Sequence, residues 1–415
     1  MSKPKIRFKG YEEDWEQRKL GDLVDRVTRK NQDLVSELPL TISAQYGLID
    51  QNEFFDKRVA SKDVSGYYLI ENGEFAYNKS TSTDAPWGAI KRLDRYENGV
   101  LSTLYIVFGI KENTPVDSDF LVSYYSTNLW HKGIHEIAAE GARNHGLLNI
   151  APADFFETKL MIPQDIEEQR KIGKYFEELE RFITLHQRKC EETKKLKKYM
   201  LQKMFPQNGK RVPEIRFAGF TDDWEQRKFS DCYKMSSGYA FKMRDYCDSG
   251  IGLINGESIQ HGIINDDNLN YLPESFIQQY PDFILKEGDI VVGLNRPITN
   301  GNLKIARIPN KYNDSLLYQR AGKIVYKGNC DKDFTYILLS KEILKYTLVE
   351  AVGSDQPFIS TSKLDKWQMM IPSDIEEQKK IGDYFRNLDH LITLHQRKYE
   401  ELQKNKKFML QNMLI

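Results

Sequence analysis

The sequence MIPQDIEEQRKIGKYFEELERFITLHQRKCEE, residues 161–192, returns at residues 370–401 as MIPSDIEEQKKIGDYFRNLDHLITLHQRKYEE, with 23 of 32 positions identical. A second block, PKIRFKGYEEDWEQRKLGD at residues 4–22, returns as PEIRFAGFTDDWEQRKFSD at residues 213–231, with 12 of 19 positions identical. Both blocks recur at the same offset of 209 residues. Two long segments that repeat at one offset indicate an internal duplication.

The longer word has the pattern of a helix that begins near Asp165, where Asp165 is an N-cap and Glu168 is its capping-box partner. Apolar residues then recur every seven positions, with polar residues between them, which predicts a helix of about forty residues and ~60 Å in each copy. Such helices are too long for one small domain, so we expect their apolar stripes to face each other. The stripe contains Ile172, Leu179, His186, Thr193 and Met200 in the first copy, and Ile381, Leu388, His395, Leu402 and Met409 in the second.

Two kinds of residue in the repeated words are candidates for fixing this frame. His186 and His395 fall on the stripe, where a polar residue commonly sets helix register; metal ligation is the alternative, but the words offer no further ligands. Trp15 and Trp224 are expected to be buried anchors. Because block 213–231 follows the first helix, the duplication predicts that block 4–22 lies beside the end of the second helix.

The repeat divides the chain into a shared frame and two unlike inserts of 138 residues each. Both inserts are rich in Tyr, Phe, Ile, Val and Asn with frequent Gly, which predicts short strands and polar turns and an α+β fold. The expected organisation is two globular domains separated by two long helices whose stripes face each other, with a pseudo-two-fold internal repeat. Its segments are 1–22 (N-terminal frame), 23–160 (first domain), 161–212 (central helical region), 213–231 (repeated frame), 232–369 (second domain) and 370–415 (C-terminal helical region).

Composition excludes several classes of protein. The 415 residues carry 60 basic and 60 acidic side chains, so bulk charge does not identify a nucleic-acid partner. No stretch reaches the ~18 apolar residues of a membrane span, and we expect a cytoplasmic protein. The four cysteines form no CxxC pair and are expected to be free thiols. No Walker A loop or NPPY-like methyltransferase tetrapeptide is present, so the chain has the pattern of a binder without catalysis.

Polar clusters that follow predicted strands are the candidate contacts to a ligand. Asn, Arg, Lys and Gln can form bidentate hydrogen bonds to base edges in the DNA major groove. The same residue types also populate ordinary turns, and that alternative stays open at each position. The candidates are Asn78, Lys79, Ser80, Thr81, Arg143, Asn144 and His145 in the first insert, and Asn295, Arg296, Thr299, Asn300 and Gln356 in the second.

The combination of repeated words and unlike inserts resembles the specificity subunits of bacterial Type I restriction-modification enzymes, over essentially the whole chain. The resemblance is carried by the duplicated MIPxDIEEQxKIGxYF words, the ITLHQRK helices and the DWEQRK blocks. It implies that each insert is a target-recognition domain that reads one half of a split double-stranded DNA target. The two long helices would form an antiparallel coiled coil and set the gap between the halves. It also implies that the repeated frame docks two modification subunits.

The same resemblance assigns the chemistry to other chains. The modification subunits would bind S-adenosylmethionine and methylate adenine at N6, and separate restriction subunits would use ATP and Mg²⁺ to cleave. No cofactor, metal or catalytic residue is expected on this chain. Two other functions remain open from the residues alone: a two-armed protein-protein adaptor without DNA readout, and a nuclease fused to its own reader. Co-purification with an adenine methyltransferase would favour a DNA-specificity subunit over the adaptor.

Overall fold

The computed structural model describes residues 3–43, 46–57, 59–83, 85–138, 143–144, 146–207, 209–267, 269–350 and 357–415, with residues 143 and 144 described by their backbone alone. The chain divides into two compact units. Unit 1 contains Met1–Arg188 and His395–Ile415, and unit 2 contains Lys189–Leu394. Each unit therefore combines one insert with its share of the repeated frame and with one segment of each long helix.

Unit 1 is an α+β unit built from short elements and the first long helix. Its strands are β1 Glu16–Lys19, β2 Val24–Val27, β3 Leu40–Ser43, β4 Gly47–Asp50, β5 Tyr68–Glu71, β6 Phe75–Asn78, β7 Ala89–Arg92, β8 Asn98–Leu101, β9 Ile106–Ile110, β10 Arg143–Asn144, β11 Leu147–Leu148 and β12 Lys159–Ile162. Its helices are α1 Leu20–Leu23, α2 Gln51–Phe55, α3 Ser118–Tyr125, α4 His131–Ile137, α5 Pro152–Phe156 and the first part of α6 Ile166–Lys203.

Unit 2 has the same plan with a different set of connections. Its strands are β13 Glu225–Lys228, β14 Tyr233–Ser237, β15 Ile251–Ile254, β16 Asn270–Leu272, β17 Ile290–Gly293, β18 Ile298–Thr299, β19 Asn302–Leu303, β20 Ile305–Arg307, β21 Leu316–Leu317, β22 Ala321–Tyr326 and β23 Gln368–Ile371. Its helices are α7 Phe229–Cys232, α8 Phe276–Gln279, α9 Lys332–Glu350, α10 Thr361–Leu364 and most of α11 Ile375–Met413.

Each unit has a four-stranded antiparallel sheet at its centre, and the strand order is equivalent in the two. The order is β2-β9-β6-β7 in unit 1 and β14-β22-β17-β20 in unit 2. The sequence words Gly73-Glu74-Phe75 and Gly288-Asp289-Ile290 enter equivalent strands, and both glycines have positive φ, 87° and 82°. Such a backbone conformation favours glycine, which explains why this loose similarity persists between the inserts.

The frame closes each unit in the same way. Strand β1 pairs antiparallel with β12, and β13 pairs antiparallel with β23, in the same register. The Ile6 N–H donates to the Asn412 carbonyl at 2.9 Å, and the Ile215 N–H donates to the Lys203 carbonyl at 2.9 Å. The prediction that block 4–22 lies beside the end of the second helix is therefore confirmed.

The long helices α6 and α11 face each other within each unit, as the stripe predicts, and they pair antiparallel, as the resemblance implies. In unit 1, Glu180 forms an ion pair with Lys406. In unit 2, the Lys197 ammonium lies 2.6 Å from the Asp389 carboxylate. The helices are 38 and 39 residues long, close to the expected forty. Four residues of the predicted stripe are buried, namely Ile172, Leu179, Ile381 and Leu388, and the other six are partly buried.

Asp165 caps α6 as predicted, but the role assigned to Glu168 is wrong. Asp165 accepts a hydrogen bond from the Glu167 N–H at 2.8 Å. Glu168 is fully buried and accepts two hydrogen bonds from the Arg7 guanidinium, at 2.6 and 2.8 Å. This tertiary ion pair takes Glu168 out of the local capping box because a buried carboxylate needs a charged partner. Unit 2 repeats the pair as Arg216 and Glu377, at 2.7 and 2.8 Å.

The remaining expectations about the chain fold are mostly met. Residues 118–137 contain two helices, α3 and α4, and the Thr127 hydroxyl donates to the Tyr124 carbonyl at 2.6 Å just after the first one ends. Trp15 and Trp224 are buried, at 3% and 1% exposure. All four cysteines are free thiols. In the part of the chain that the structure describes, no helix combines the length and apolarity that crossing a membrane requires.

Candidate nucleic-acid interface

The polar cluster predicted in the first insert lies directly after strand β6. Ser80 forms an antiparallel bridge with Leu147, and the Thr81 N–H donates to the Gly146 carbonyl at 2.7 Å. The Leu148 N–H donates to the Lys79 carbonyl at 3.0 Å. Residues 78–81 and 146–148 are therefore side by side, although the sequence separates them by more than sixty positions. We call this pair of segments the first-domain site.

The polar cluster of the second insert lies at the equivalent place. Asn295 forms an antiparallel bridge with Phe358, and the Arg296 N–H donates to the Pro357 carbonyl at 3.0 Å. The Ile359 N–H donates to the Leu294 carbonyl at 2.9 Å. The two clusters, predicted independently, thus occupy one position of the shared fold. Segments 293–296 and 357–359 are the second-domain site.

Several predicted residues cannot be placed with their side chains. Arg143 and Asn144 form the short strand β10, which pairs with β11 next to the first-domain site, and their backbone alone is described. His145 and Gln356 lie outside the described residues. Thr299 and Asn300 form the hairpin between β18 and β19, in which Asn300 has a φ of 50°. Turn chemistry accounts for an asparagine at that position, since asparagine tolerates the left-handed conformation.

In the first-domain site, three of the four predicted side chains bond within the unit. The Asn78 amide donates to the Tyr105 hydroxyl at 3.3 Å, and the Thr81 hydroxyl donates to the Gly146 carbonyl at 3.0 Å. The Lys79 ammonium donates to the Ile150 carbonyl at 3.3 Å. Burial, followed by the nearby Arg26 charge, lowers the pKa of Lys79. These hydrogen bonds hold the segment in place, and Ser80 is exposed.

The second-domain site opens into a polar cleft of about 420 Å³. Its walls carry three cationic side chains, Arg296, Lys304 and Arg320, and one carboxylate, Glu257, among the residues that the structure describes. The other walls are mostly amides and phenols. They are formed by Tyr246, Asn255, Gly256, Asn270, Asn295, Tyr318 and Pro357.

Strand ends of the central and neighbouring sheets bring the cleft together. The Gly293 N–H donates to the Lys304 carbonyl at 2.9 Å, and the Leu294 N–H donates to the Arg320 carbonyl at 3.0 Å. The Tyr318 N–H donates to the Ile254 carbonyl at 2.9 Å, which joins the end of β15 to the same edge. The main chain is thus fixed at each cation, while the long side chains extend into the cleft.

Sequence reasoning missed most of this cleft. It singled out Asn295 and Arg296 but not Lys304, Arg320, Asn255 or Asn270. Each missed residue lies at or within three positions of the end of a strand, which is a signal the sequence contains. The strand pairing that gathers these ends at one edge is long-range, so the sequence does not reveal it.

The two stripe histidines form a direct contact in unit 1. The Nδ1 atoms of His186 and His395 lie 3.0 Å apart, so one ring donates and the other accepts. A contact between identical side chains at one level of the helix pair fits the register role predicted for them. Over the described ranges, no cluster of three or more His, Cys, Asp or Glu side chains could hold a metal ion.

The comparisons with known proteins agree with this organisation. A sequence profile described as the Type I restriction modification DNA specificity domain matches residues 221–404. The MjaVIII Type I restriction enzyme specificity subunit of Methanocaldococcus jannaschii is 27% identical over 410 residues, 97% of this chain and 92% of that protein. The EcoAI specificity subunit of Escherichia coli is 29% identical over 180 residues, 43% of this chain and 30% of that protein.

Among solved structures, the S subunit of a Type I restriction-modification system from M. genitalium has a similar fold. Its TM-score is 0.62 at 12% identity, and the match covers 100% of this chain and 99% of that one. Two unlike α+β domains on a duplicated helical frame therefore define this class of fold. The resemblance drawn from the repeated words is confirmed: residues 221–404 match the Type I restriction modification DNA specificity domain, and the chain is similar along nearly its whole length to a Type I restriction enzyme specificity subunit.

Proposed function

We propose that the chain is the DNA sequence-specificity subunit of a Type I restriction-modification complex. Each insert reads one half of a bipartite double-stranded DNA target, and the frame binds the partner subunits. The observation that carries this proposal is the contrast between the halves: the frame contacts are repeated residue by residue, whereas the equivalent exposed sites differ in chemistry. Identical surfaces suit two copies of one partner, and unlike sites suit two unlike half-sites.

The chain itself is non-catalytic in this proposal. Two modification subunits would dock on the two copies of the frame and carry S-adenosylmethionine, and restriction subunits would carry ATP and Mg²⁺. These partners, acting in the cytoplasm, would also supply many of the phosphate contacts, which gives a chain of zero formal net charge a way to hold DNA. Contacts to phosphates position a protein on DNA, while contacts to base edges give the specificity.

A domain exchange tests whether each insert reads its own half of the DNA target. The full chain is expressed with its modification subunits, and residues 232–369 are replaced by the corresponding domain of a related specificity subunit. Sequencing of N6-methyladenine across the genome then gives the methylated target. We expect one half of the target to change and the other half to stay the same. A chain that directs no sequence-specific methylation, or an exchange that alters both halves together, contradicts the proposal.

A helix insertion tests the proposed spacing role. Seven residues added to both α6 and α11, between residues 188 and 189 and between 394 and 395, preserve the heptad pattern and add ~10 Å of helix. At ~3.4 Å per base pair, the gap between half-sites should lengthen by about three base pairs, with both half-sites unchanged. An unchanged gap would show that the helices do not set the spacing.

A further inference from the structure

The three cations of the second-domain cleft differ from three other basic side chains of the second insert. Arg307, Lys311 and Lys323 each form an ion pair with an aspartate. Arg296, Lys304 and Arg320 have no ion pair with any described carboxylate, although they line one cleft. The second insert contains 16 basic and 16 acidic residues, so this local excess is not a consequence of bulk charge.

Like charges gathered around a cleft repel each other, so such an arrangement is stable chiefly where solvent or a ligand supplies the acceptors. Both arginines are exposed, and their main chain is held by the hydrogen bonds to Pro357 and Leu294. Arg296 also has a φ of 44°, which is unusual for a residue other than glycine. Backbone strain of this kind is often found where a side chain must be presented to a ligand.

The neighbouring groups favour a nucleobase over a simple anion. Asn255, Asn270 and Asn295 bring amides to the same walls as the guanidinium groups. Arginine forms bidentate hydrogen bonds with O6 and N7 of guanine, which is the commonest specific contact in the major groove. Lysine has no planar fork and is better suited to a phosphate.

We propose that Arg296 and Arg320 are specificity-determining residues that each read a guanine in the second half-site, while Lys304 contacts a backbone phosphate. This inference rests on the proposed function, because it names the chemistry by which the second domain would read DNA. The exposed Phe358 at the same site, 63% accessible, offers an apolar surface beside these polar contacts.

The first domain lacks this chemistry at equivalent positions. The strand registers match Thr81 with Arg296, Ala89 with Lys304, and Leu104 with Arg320. None of the three residues in the first domain carries a charge. The two domains would therefore read their half-sites by different contacts at one position of the fold.

The test uses the full chain with its modification subunits and a plasmid library in which the second half-site is randomised. The variants are R296T and R320L, which introduce the first-domain residues, together with R296K, R320K and K304A. K286A is the matched control, because Lys286 precedes strand β17 while the cleft follows it, and Lys286 is paired with Asp314. N6-methyladenine sequencing gives the base preference at each position.

We expect R296T and R320L each to lose preference for guanine at one position by roughly 5- to 150-fold, with the first half-site unchanged. The lysine variants should lose this preference as well, while they retain more overall methylation, because they keep the charge but not the bidentate geometry. K304A should lower methylation of all sequences about equally and reduce the salt dependence of DNA binding by about one phosphate contact. K286A should match the wild-type chain.

Other outcomes would overturn the inference without affecting the proposed function. These are an unchanged guanine preference in R296T and R320L, full retention of that preference in the lysine variants, and a changed first half-site. A uniform loss of methylation in variants with unchanged circular dichroism and melting temperature would show that the arginines contact only phosphate, and would also overturn it. A wild-type chain that directs no sequence-specific methylation would instead contradict the proposed function.

Discussion

Unit 1 and unit 2 are the same at the frame and different at the recognition sites. The frame repeats the ion pairs Arg7 with Glu168 and Arg216 with Glu377, in nearly identical geometry. At the equivalent exposed sites, Thr81 of unit 1 stands where unit 2 has Arg296. A duplicated chain has therefore kept its buried polar contacts and varied the side chains that its strand ends expose.

The contacts that both units keep are buried hydrogen bonds and ion pairs, whose loss would cost much folding free energy. Glutamine side chains give a second example: Gln169 bonds to the main chain at Asp117 and Pro163, and Gln378 bonds to the main chain at Asp331 and Pro372. These bonds tie the start of each long helix to the N-terminus of a helix in the insert. Buried polar groups must keep their partners, whereas exposed loops are free to change.

The largest effect should come from breaking the buried ion pair in either unit. Glu168→Ala leaves Arg7 without its carboxylate, and Glu377→Ala leaves Arg216 without its own. Each change should destabilise its unit by about 3 to 5 kcal/mol, because it leaves a largely buried charge uncompensated. Hydrogen exchange of peptides from each unit measures the loss of protection.

If the frame is equivalent in the two units, Glu168→Ala and Glu377→Ala should lower the free energy of unfolding of their units by equal amounts. Glu167→Ala is the control, because Glu167 is exposed and pairs with Arg170 on the helix surface. Its effect should stay below about 1 kcal/mol. A large loss from E167A, or a loss confined to one of the two buried pairs, would contradict an equivalent frame.

A smaller effect should come from two glycines at which the long helices approach the inserts. A Cβ on Gly173 would lie 2.6 Å from Asp119 Cβ and 2.7 Å from Phe120 N, and a Cβ on Gly382 would lie 2.6 Å from Phe334 N. Gly173→Ala and Gly382→Ala should each destabilise the chain by about 1 to 3 kcal/mol, because the added methyl meets fixed backbone. Urea denaturation measures both.

Each unit offers a control for the glycine comparison. A Cβ on Gly66 or Gly328 would meet no atom within 4 Å, and neither residue needs a positive φ. Gly66→Ala and Gly328→Ala should leave stability within about 1 kcal/mol of the wild-type chain or raise it slightly. Equal losses in all four variants would mean that close approach is not what requires glycine at residues 173 and 382.

The smallest expected effect concerns a partly buried lysine of unit 2. Lys341 in α9 lies over the Phe205 ring, with its ammonium 4.7 Å from the ring centroid, and burial lowers its pKa to about 8. The folded chain then binds fewer protons than the unfolded chain between pH 8 and about 10.5, so stability from this group rises with pH across that window. Below pH 8, Lys341 is charged in both the folded and the unfolded chain, and the full free-energy cost of burying that charge lowers the stability.

Lys341→Met should therefore stabilise unit 2 at pH 7 by about 1 to 2 kcal/mol, and the gain should shrink as pH rises toward 10.5. Thermal melts of wild-type and variant chains from pH 7 to 10 measure this trend. The matched variant is Lys332→Met, because Lys332 is an exposed lysine of the same helix. A gain that does not depend on pH would show that added apolar contact, and not the removed charge, is responsible.

Much of the frame could be predicted from the sequence because its signals are local or repeated. The seven-residue period fixed which face of α6 and α11 is buried, including Ile172 and Leu388. The duplication also located block 4–22 beside the end of α11. Glu168 shows the limit of such reasoning: three residues after Asp165 it fits a capping box, yet a partner 161 positions away determines its role.

The first-domain site and the second-domain site could be predicted only in part. Clusters 78–81 and 295–296 were recognisable as polar residues after strands, and the structure places both at one equivalent position. Arg320 and Asn270 also lie at strand ends, but the sequence does not show which strand ends meet. Their place in the cleft depends on pairing of β22 with β17 and of β16 with β15, which joins residues far apart in the chain.

By itself, the sequence determined the duplication, the two long helices, the faces they bury and the contrast between a constant frame and variable inserts, because periodicity and repetition are properties of the chain alone. The tertiary structure decided which buried carboxylate pairs with which arginine and which strand ends meet to form a cationic cleft. Those outcomes depend on contacts between distant residues, whose desolvation and hydrogen bonding are settled only when the chain has folded.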